Sequence, residues 1–145
     1  MSYYINKLSS LNIDGVYEVE LSAFEHPWAK KSFEEELNNP LAHYFVLYRD
    51  DEVIGYAGLW HILDEGHITN IAIKKDCQGM GLSHFLIDEL LNYKKENNLS
   101  FLTLEVRESN LKARSLYEKY NFKETGKRKN YYENNETAVL YSLEG

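Results

Sequence analysis

The sequence is poor in residues that cross-link or break a chain, since its 145 residues include one cysteine and two prolines. The single cysteine, Cys77, excludes an internal disulfide and a cluster of metal-binding thiolates. No run of about 18 apolar residues occurs, so no membrane-spanning helix is predicted. The first ten residues lack the basic-then-apolar order of a secretory signal. We therefore expect a soluble, cytoplasmic protein that does not associate with membranes.

Positive charge is also scarce, because 16 Lys and Arg residues face 23 Asp and Glu residues, for a formal net charge of −7. Nucleic-acid binders need a basic surface to displace counterions, so no nucleic-acid partner is expected. Residues 1–73 hold 12 acids and 4 Lys or Arg, whereas residues 74–145 hold 11 acids and 12 Lys or Arg. An acidic half suits a cationic partner and a more basic half suits an anionic one, although ordinary solvated surface explains the same charges.

The sequence also lacks metal-binding motifs, internal repeats and linkers. The five histidines show no metal-ligand spacing, so no metal site is predicted. Without internal repeats, low-complexity stretches or Pro/Gly-rich linkers, residues 1–145 are interpreted as one domain.

The spacing of apolar residues predicts about seven strands and four helices in the order strand, two helices, three strands, helix, strand, helix, two strands. One helix is expected from Ile13 to Phe24, and the capping-box spacing of Ser32–Glu35 predicts the start of the next. The predicted class is α/β (α+β), with a single mixed, largely antiparallel sheet flanked by helices. The strands are expected at Tyr3–Leu8, Tyr44–Tyr48, Val53–Trp60, His67–Ile73, Phe101–Val106, Phe122–Tyr131 and Thr137–Leu143.

The segment Gln78–Ser83 contains two glycines where an apolar strand ends and an amphipathic helix begins. Glycine lets a backbone approach a ligand closely, and the first N–H groups of a helix lack intrahelical partners. Such a turn can hold phosphate oxygens, although an ordinary strand-to-helix turn would use glycine in the same way.

From about Ile68 to Phe122 the chain resembles the GNAT superfamily of acyl-CoA N-acyltransferases. The superfamily signature, Gln/Arg-x-x-Gly-x-Gly/Ala, reads here Gln78-x-x-Gly81-x-Ser83, with Ser83 replacing the usual small residue. The resemblance implies a GNAT-type fold and acetyl-CoA as co-substrate. It assigns the cofactor to Ile71, Ala72, Ile73, Gln78, Gly79, Met80, Gly81, Leu82, Ser83 and Asn110.

Finer matches resemble the bacterial ribosomal-protein alanine N-acetyltransferases of the Rim type. They are His26–Trp28, Asn70–Ile73, Leu104–Arg107, Leu116–Glu118 and Asn130–Tyr132. The implied reaction is direct attack of an N-terminal α-amine on the acetyl thioester within a ternary complex. The implied acceptor is a ribosomal protein with basic residues after its N-terminal alanine, which suits the acidic first half.

The same resemblance assigns roles to single residues. Glu105 is the expected base and Tyr117 the expected acid, while the N–H groups of Ile71–Ile73 stabilise the oxyanion. Trp28 and Tyr131 are expected at the acceptor, although Trp28 could equally be a buried anchor. From the residues alone, Glu105 could be a surface carboxylate beside Arg107 and Tyr117 could be core packing.

Two other functions stay open at this point, and the oligomeric state is not predicted. An enzyme of the same fold could acetylate lysine side chains or small amines. A CoA-binding regulatory module without turnover is the other possibility, although the presence of both Glu105 and Tyr117 speaks against it.

Overall fold

A computed structural model describes residues 1–145 and contains one seven-stranded sheet with four α-helices packed on its faces. The strands are β1 Tyr3–Lys7, β2 Ala42–Arg49, β3 Glu52–Ile62, β4 Glu65–Ile73, β5 Phe101–Arg107, β6 Lys123–Arg128 and β7 Ala138–Glu144. The helices are α1 Ile13–Ala23, α2 Lys30–Leu37, α3 Ser83–Glu96 and α4 Leu111–Lys119, with a 3₁₀ turn at Lys75–Cys77.

The strands lie in the order β1-β2-β3-β4-β5-β7-β6, and every neighbouring pair is antiparallel except β4 with β5. This confirms the predicted mixed, largely antiparallel sheet and the predicted order of elements. No helix is long and apolar enough to cross a membrane.

Several predicted boundaries differ from the structure by one to three residues, and two of the differences have causes outside the local pattern. Helix α2 begins at Lys30 rather than at Ser32, and no side chain caps it. Its one buried residue, Phe33, packs on Trp28 and Tyr56, so tertiary packing rather than a capping box sets its position. Strand β6 ends at Arg128, three residues before the predicted end, because the chain turns through Asn130 at a φ of 56°.

Each face of the sheet carries its own apolar core. Sixteen buried residues, among them Leu86 and Leu90 of α3, fill the face that α3 and α4 cover. A second cluster of nine, with Val16 and Val19 of α1, fills the other face. Alternation along β5 sends Leu104 and Val106 into the first core and leaves Glu105 on the opposite side.

Strands β4 and β5 separate partway along their length. They pair only over Glu65–His67 and Phe101–Thr103, whereas β3 stays paired with β4 as far as Ile73. The pairing of β3 with β4 shifts by one residue at Thr69, which has no partner and forms a bulge. From Ile68 onward a gap therefore opens between β4 and β5, and both clefts of the candidate site lie along it.

Candidate active site

The turn Gln78–Ser83 presents a run of free backbone donors. The N–H groups of residues 79–83 donate to no protein acceptor. Gly79 and Gly81 have φ angles of 81° and 73°, and a Cβ atom at either position would meet no protein atom within 4 Å. Both glycines therefore adopt a left-handed backbone conformation, which glycine tolerates, and the space that a side chain would occupy at either position is open.

Two side chains fix the ends of this turn. Gln78 Nε2 donates to the carbonyl of Ile73 at 2.9 Å, which ties the turn to the end of β4. His84 Nδ1 lies 2.6 Å from the carbonyl of Gly81. Both ends of the turn are therefore held where α3 begins, and the dipole of that helix favours an anion there.

A cleft of about 670 Å³ runs from this turn along the end of β4 to helix α4, and we call it the α4 cleft. Leu82 lines it while its side chain is buried in the core. Met80 is the exception among the predicted cofactor residues, since its side chain is 53% exposed and does not line the cleft. The lining includes Ile71, Ala72, Ile73, Gln78, Gly79, Gly81, Leu82, Ser83 and Asn110.

The pairing of β4 with β3 decides which of its N–H groups face the gap. Lys74 N–H donates to the carbonyl of Ile54 at 2.7 Å, and backbone groups alternate in direction along an antiparallel pair. Ala72 N–H therefore points toward β3, while the N–H groups of Ile71 and Ile73 point into the gap. Only these two of the three predicted oxyanion donors face the open side.

A second cleft of about 390 Å³ lies on the α1–α2 side of the gap, and we call it the β5 cleft. Its polar lining includes Glu20, Asn70, Glu105, Arg107 and Glu133. It meets the α4 cleft at five shared residues: Phe24, Ile71, Asn110, Ala113 and Tyr117. The two clefts therefore adjoin beside these five residues.

Glu105 lines the β5 cleft from strand β5, with its side chain 30% exposed. Arg128 Nη1 lies 3.8 Å from its carboxylate. The carboxylate also raises the pKa of Tyr131, chiefly by accepting a hydrogen bond from its hydroxyl. Glu105 is thus a part-exposed carboxylate with its free side toward the cleft.

Tyr117 stands on α4 where the two clefts meet. Burial raises the pKa of its phenol to about 12, so the group keeps its proton at neutral pH. The ring packs edge-on against Phe122, and the hydroxyl makes no hydrogen bond within the protein. Core packing accounts for the ring, and the hydroxyl is left available to a ligand.

Asn110 both caps a helix and lines the two clefts. Its side chain accepts a hydrogen bond from Ala113 N–H at 3.1 Å and so caps α4. It also lines both clefts.

The two residues predicted at the acceptor differ in placement. Trp28 lines the β5 cleft and packs on Phe33 with ring centroids 5.4 Å apart. Tyr131 is 49% exposed and does not line the cleft, whereas the next residue, Tyr132, does. The guanidinium of Arg107 lies 4.1 Å from the Tyr132 ring centroid. Tyr131 touches the site only through Glu105.

Sequence reasoning assigned no site role to seven other polar residues that line the β5 cleft: Glu20, His26, Thr69, Asn70, Arg107, Tyr132 and Glu133. Arg107 pairs with Glu133 and Glu136, which fastens the loop between β6 and β7 to the end of β5. No local pattern points to Glu20 or Glu133. Tyr132 belongs to the Asn130–Tyr132 segment already matched, and its side chain direction depends on the turn at Asn130.

The splayed strands, the run of free N–H groups and the two meeting clefts belong to a known class. A model of the Acetyltransferase (GNAT) family matches residues 13–122. The chain therefore belongs to the GNAT family and is an acetyltransferase.

Individual relatives narrow this class. A provisionally named ribosomal protein bS18-alanine N-acetyltransferase of Bacillus subtilis is 45% identical over 131 residues, which cover 89% of this chain and 87% of that protein. The crystal structure of the ribosomal-protein-S18-alanine N-acetyltransferase from Escherichia coli matches with a TM-score of 0.92 and 30% identity, over 99% of this chain and 94% of that one. A GNAT family acetyltransferase from Elizabethkingia anophelis with acetyl-CoA bound shares the fold, with a TM-score of 0.80, 21% identity, and coverage of 99% and 98%.

Proposed function

We propose that this enzyme transfers the acetyl group of acetyl-CoA to the N-terminal α-amine of a protein, and that its acceptor is a ribosomal protein beginning with alanine. The observation that carries the proposal is the meeting of two chemically different clefts beside Tyr117. One cleft offers free N–H donors for phosphate, and the other offers carboxylates for an amine. The two relatives named for that activity, at 45% and 30% identity over most of the chain, support the choice of acceptor.

The α4 cleft suits acetyl-CoA in charge and shape. Five consecutive free N–H groups, with the dipole of α3 behind them, match the pyrophosphate of CoA. Ser83 adds a hydroxyl at the start of that helix without filling the space before the glycines. The pantetheine arm would then follow β4 toward the gap, where the N–H groups of Ile71 and Ile73 face it.

The chemistry divides among three groups of the protein, and none of the steps uses a metal. Acetyl-CoA supplies a thioester whose carbonyl carbon the amine attacks. Glu105 takes a proton from the amine, directly or through a water molecule, because an α-amine with a pKa of about 7.7–8.0 is largely protonated at neutral pH. The N–H groups of Ile71 and Ile73 donate to the carbonyl oxygen as it gains negative charge. Tyr117 gives its proton to the sulfur as the carbon–sulfur bond breaks. The nitrogen loses its second proton to solvent as the amide forms, and the phenol regains a proton from solvent.

Direct attack is favoured over an acetylated enzyme by the state of the one cysteine. Cys77 lines the α4 cleft but is only 1% exposed. Burial raises the pKa of its thiol, and no histidine or lysine lies in hydrogen-bonding contact to activate it. The site therefore lacks an activated cysteine that could carry the acetyl group, whereas direct transfer in one ternary complex requires no such residue.

A panel of acceptors with labelled acetyl-CoA tests this function. We expect transfer to a short peptide that begins Ala-Arg, and none to the same peptide with a blocked N-terminus and an internal lysine. Mass spectrometry of the product would place the acetyl group on the α-amine. Strong transfer to the lysine or to a small amine, with little to the free N-terminus, would overturn the proposed acceptor.

A further inference from the structure

The side chain of Asn70 lines the β5 cleft one residue before Ile71, and the protein satisfies only part of its hydrogen bonding. Its Nδ2 group donates to the hydroxyl of Tyr56 at 2.9 Å. Its Oδ1 atom receives no hydrogen bond from the protein. No side-chain nitrogen or oxygen is both fully buried and without a hydrogen-bond partner, so this unpaired Oδ1 atom must be accessible to solvent. An amide oxygen can accept two hydrogen bonds, so Asn70 keeps an acceptor for a ligand in the cleft.

A buried chain of hydrogen bonds fixes the direction of this amide. Glu20 is 1% exposed, and its Oε2 accepts a hydrogen bond from the backbone N–H of Trp28 at 2.9 Å. Its Oε1 accepts the hydroxyl proton of Tyr56, which is fully buried. While Glu20 is a carboxylate, the one hydrogen of the phenol goes to it, so Tyr56 can only accept from Asn70. The NH₂ group of Asn70 therefore faces Tyr56, and Oδ1 faces away from it.

The other charged groups around the β5 cleft are mostly acceptors. Glu20, Glu105 and Glu133 line it, and the one cationic side chain of a lysine or arginine among the lining residues is Arg107. Arg107 is paired with Glu133 and Glu136 and lies over the ring of Tyr132. A ligand group that offers N–H donors and positive charge fits this lining, and a carboxylate or phosphate does not.

We propose that Asn70 Oδ1 accepts a hydrogen bond from the attacking nitrogen of the acceptor, and that Glu20 and Tyr56 are positioning residues that aim it. The inference rests on the proposed function and names the contact that holds the amine before it reacts. Asn70 precedes Ile71, whose N–H group faces the gap, so the nitrogen is held beside the place where the thioester carbonyl would lie. Glu105, on the opposite strand of the gap, then receives the proton.

Paired ligands test this contact without relying on turnover. We would measure the Kd of an Ala-Arg peptide and of its desamino analogue, which carries a propionyl group in place of alanine, with the CoA-loaded protein. Asn70→Ala should weaken binding of the amine peptide by about tenfold and leave the desamino peptide unchanged, because one hydrogen bond to a charged group is lost. Asn92→Ala, at an exposed asparagine of α3, is the matched control and should change neither.

A double-mutant cycle tests the positioning chain. Tyr56→Phe should raise the KM of the amine peptide in the same direction as Asn70→Ala, and the double variant should lose no more than Asn70→Ala alone. Additive losses would show that Tyr56 does not act through Asn70. Because Tyr56 is buried, the four proteins are compared at a temperature below the lowest of their thermal midpoints, where all of them are folded.

The outcomes separate this inference from the proposed function. Should the wild type acetylate the amine peptide while Asn70→Ala binds both ligands as the wild type does, the role of Asn70 is refuted and the function stands. Equal weakening of the binding of both peptides would also refute the role of Asn70, because it would show that the substitution alters the shape of the cleft and does not remove a hydrogen bond to the amine. Failure of the wild type to acetylate any N-terminal amine would overturn the acceptor itself.

Discussion

At the scale of single residues, Glu105 matters most when the amine carries its extra proton. A general base contributes roughly 10²–10⁴-fold, and an α-amine with a pKa of about 7.7–8.0 needs that base less as the pH rises. We expect Glu105→Gln to lower kcat/KM by about 100-fold near pH 6.5, with the deficit narrowing above about pH 8.5. The measurement is a pH profile of thiol release with an Ala-Arg peptide.

The matched control is Glu108→Gln, which removes a carboxylate just beyond β5 that pairs with Lys127. It should leave the profile close to that of the wild type. A deficit in Glu105→Gln that stays constant across the pH range would contradict a role in proton removal and would indicate a role in binding.

Tyr117 should affect turnover and spare cofactor binding. Its phenol, with a pKa raised to about 12, carries a proton that it can give to the leaving sulfur. Tyr117→Phe keeps the packing on Phe122, so we expect kcat to fall by about 100-fold and the Kd of acetyl-CoA to change less than about twofold. Tyr120→Phe, at the residue that follows α4, controls for loss of a hydroxyl. Equal losses in both variants would remove the acid assignment.

The residues of the site could be predicted from the sequence only where a local pattern carries them. Glu105 stands out because strand alternation separates it from Leu104 and Val106, and that placement is confirmed. Glu20 could not be found in this way, since it reads as one more carboxylate on α1 and its partners lie 8 and 36 positions away. The choice of Tyr131 over Tyr132 depended on a turn at Asn130 that no periodicity reports.

At the scale of elements, the turn before α3 ties backbone conformation to cofactor binding. Gly81 has a φ of 73°, where a residue with a Cβ pays roughly 1 kcal/mol, and the added methyl group would point into open space rather than into protein. We expect Gly81→Ala to raise the Kd of acetyl-CoA at least about tenfold, because the proposed function brings the phosphates into that space. Calorimetry would measure the Kd, and denaturation would measure the small loss of stability.

Gly126→Ala is the matched control for that substitution. Gly126 lies in β6 with no positive φ, and a Cβ there meets its nearest neighbour, Leu140, at 3.6 Å. The control should bind acetyl-CoA as the wild type does. An unchanged Kd in Gly81→Ala would refute the turn as the phosphate site.

The elements themselves were largely predictable because each has an apolar period of its own. All seven strands and four helices were found, since the two cores impose alternation on strands and a single stripe on helices. The separation of β4 from β5 was not readable in the same way. It depends on a bulge at Thr69 and on pairing between strands that are far apart in sequence, neither of which changes the apolar pattern.

At the scale of the whole molecule, one buried carboxyl group should make global stability depend on pH. Burial raises the pKa of Glu20 above its ordinary value of 4.5, against hydrogen bonds from Trp28 and Tyr56 that lower it. A carboxyl group whose pKa is higher in the folded than in the unfolded protein binds protons more tightly when folded. Its contribution to the free energy of unfolding is therefore complete below 4.5 and declines as the pH rises through the raised value.

Glu20→Gln removes this titration while keeping an oxygen that can accept from Tyr56. We expect the free energy of unfolding of the wild type, relative to this variant, to fall as the pH is raised from about 5 to about 7.5. Urea denaturation at both pH values would measure the difference, and Glu18→Gln, exposed on the same helix, controls for the loss of one charge. A difference that grows with pH would mean that the hydrogen bonds outweigh burial at Glu20. In that case the carboxylate would hold Tyr56 and Asn70 more firmly at neutral pH than at low pH, and peptide binding would follow the same trend.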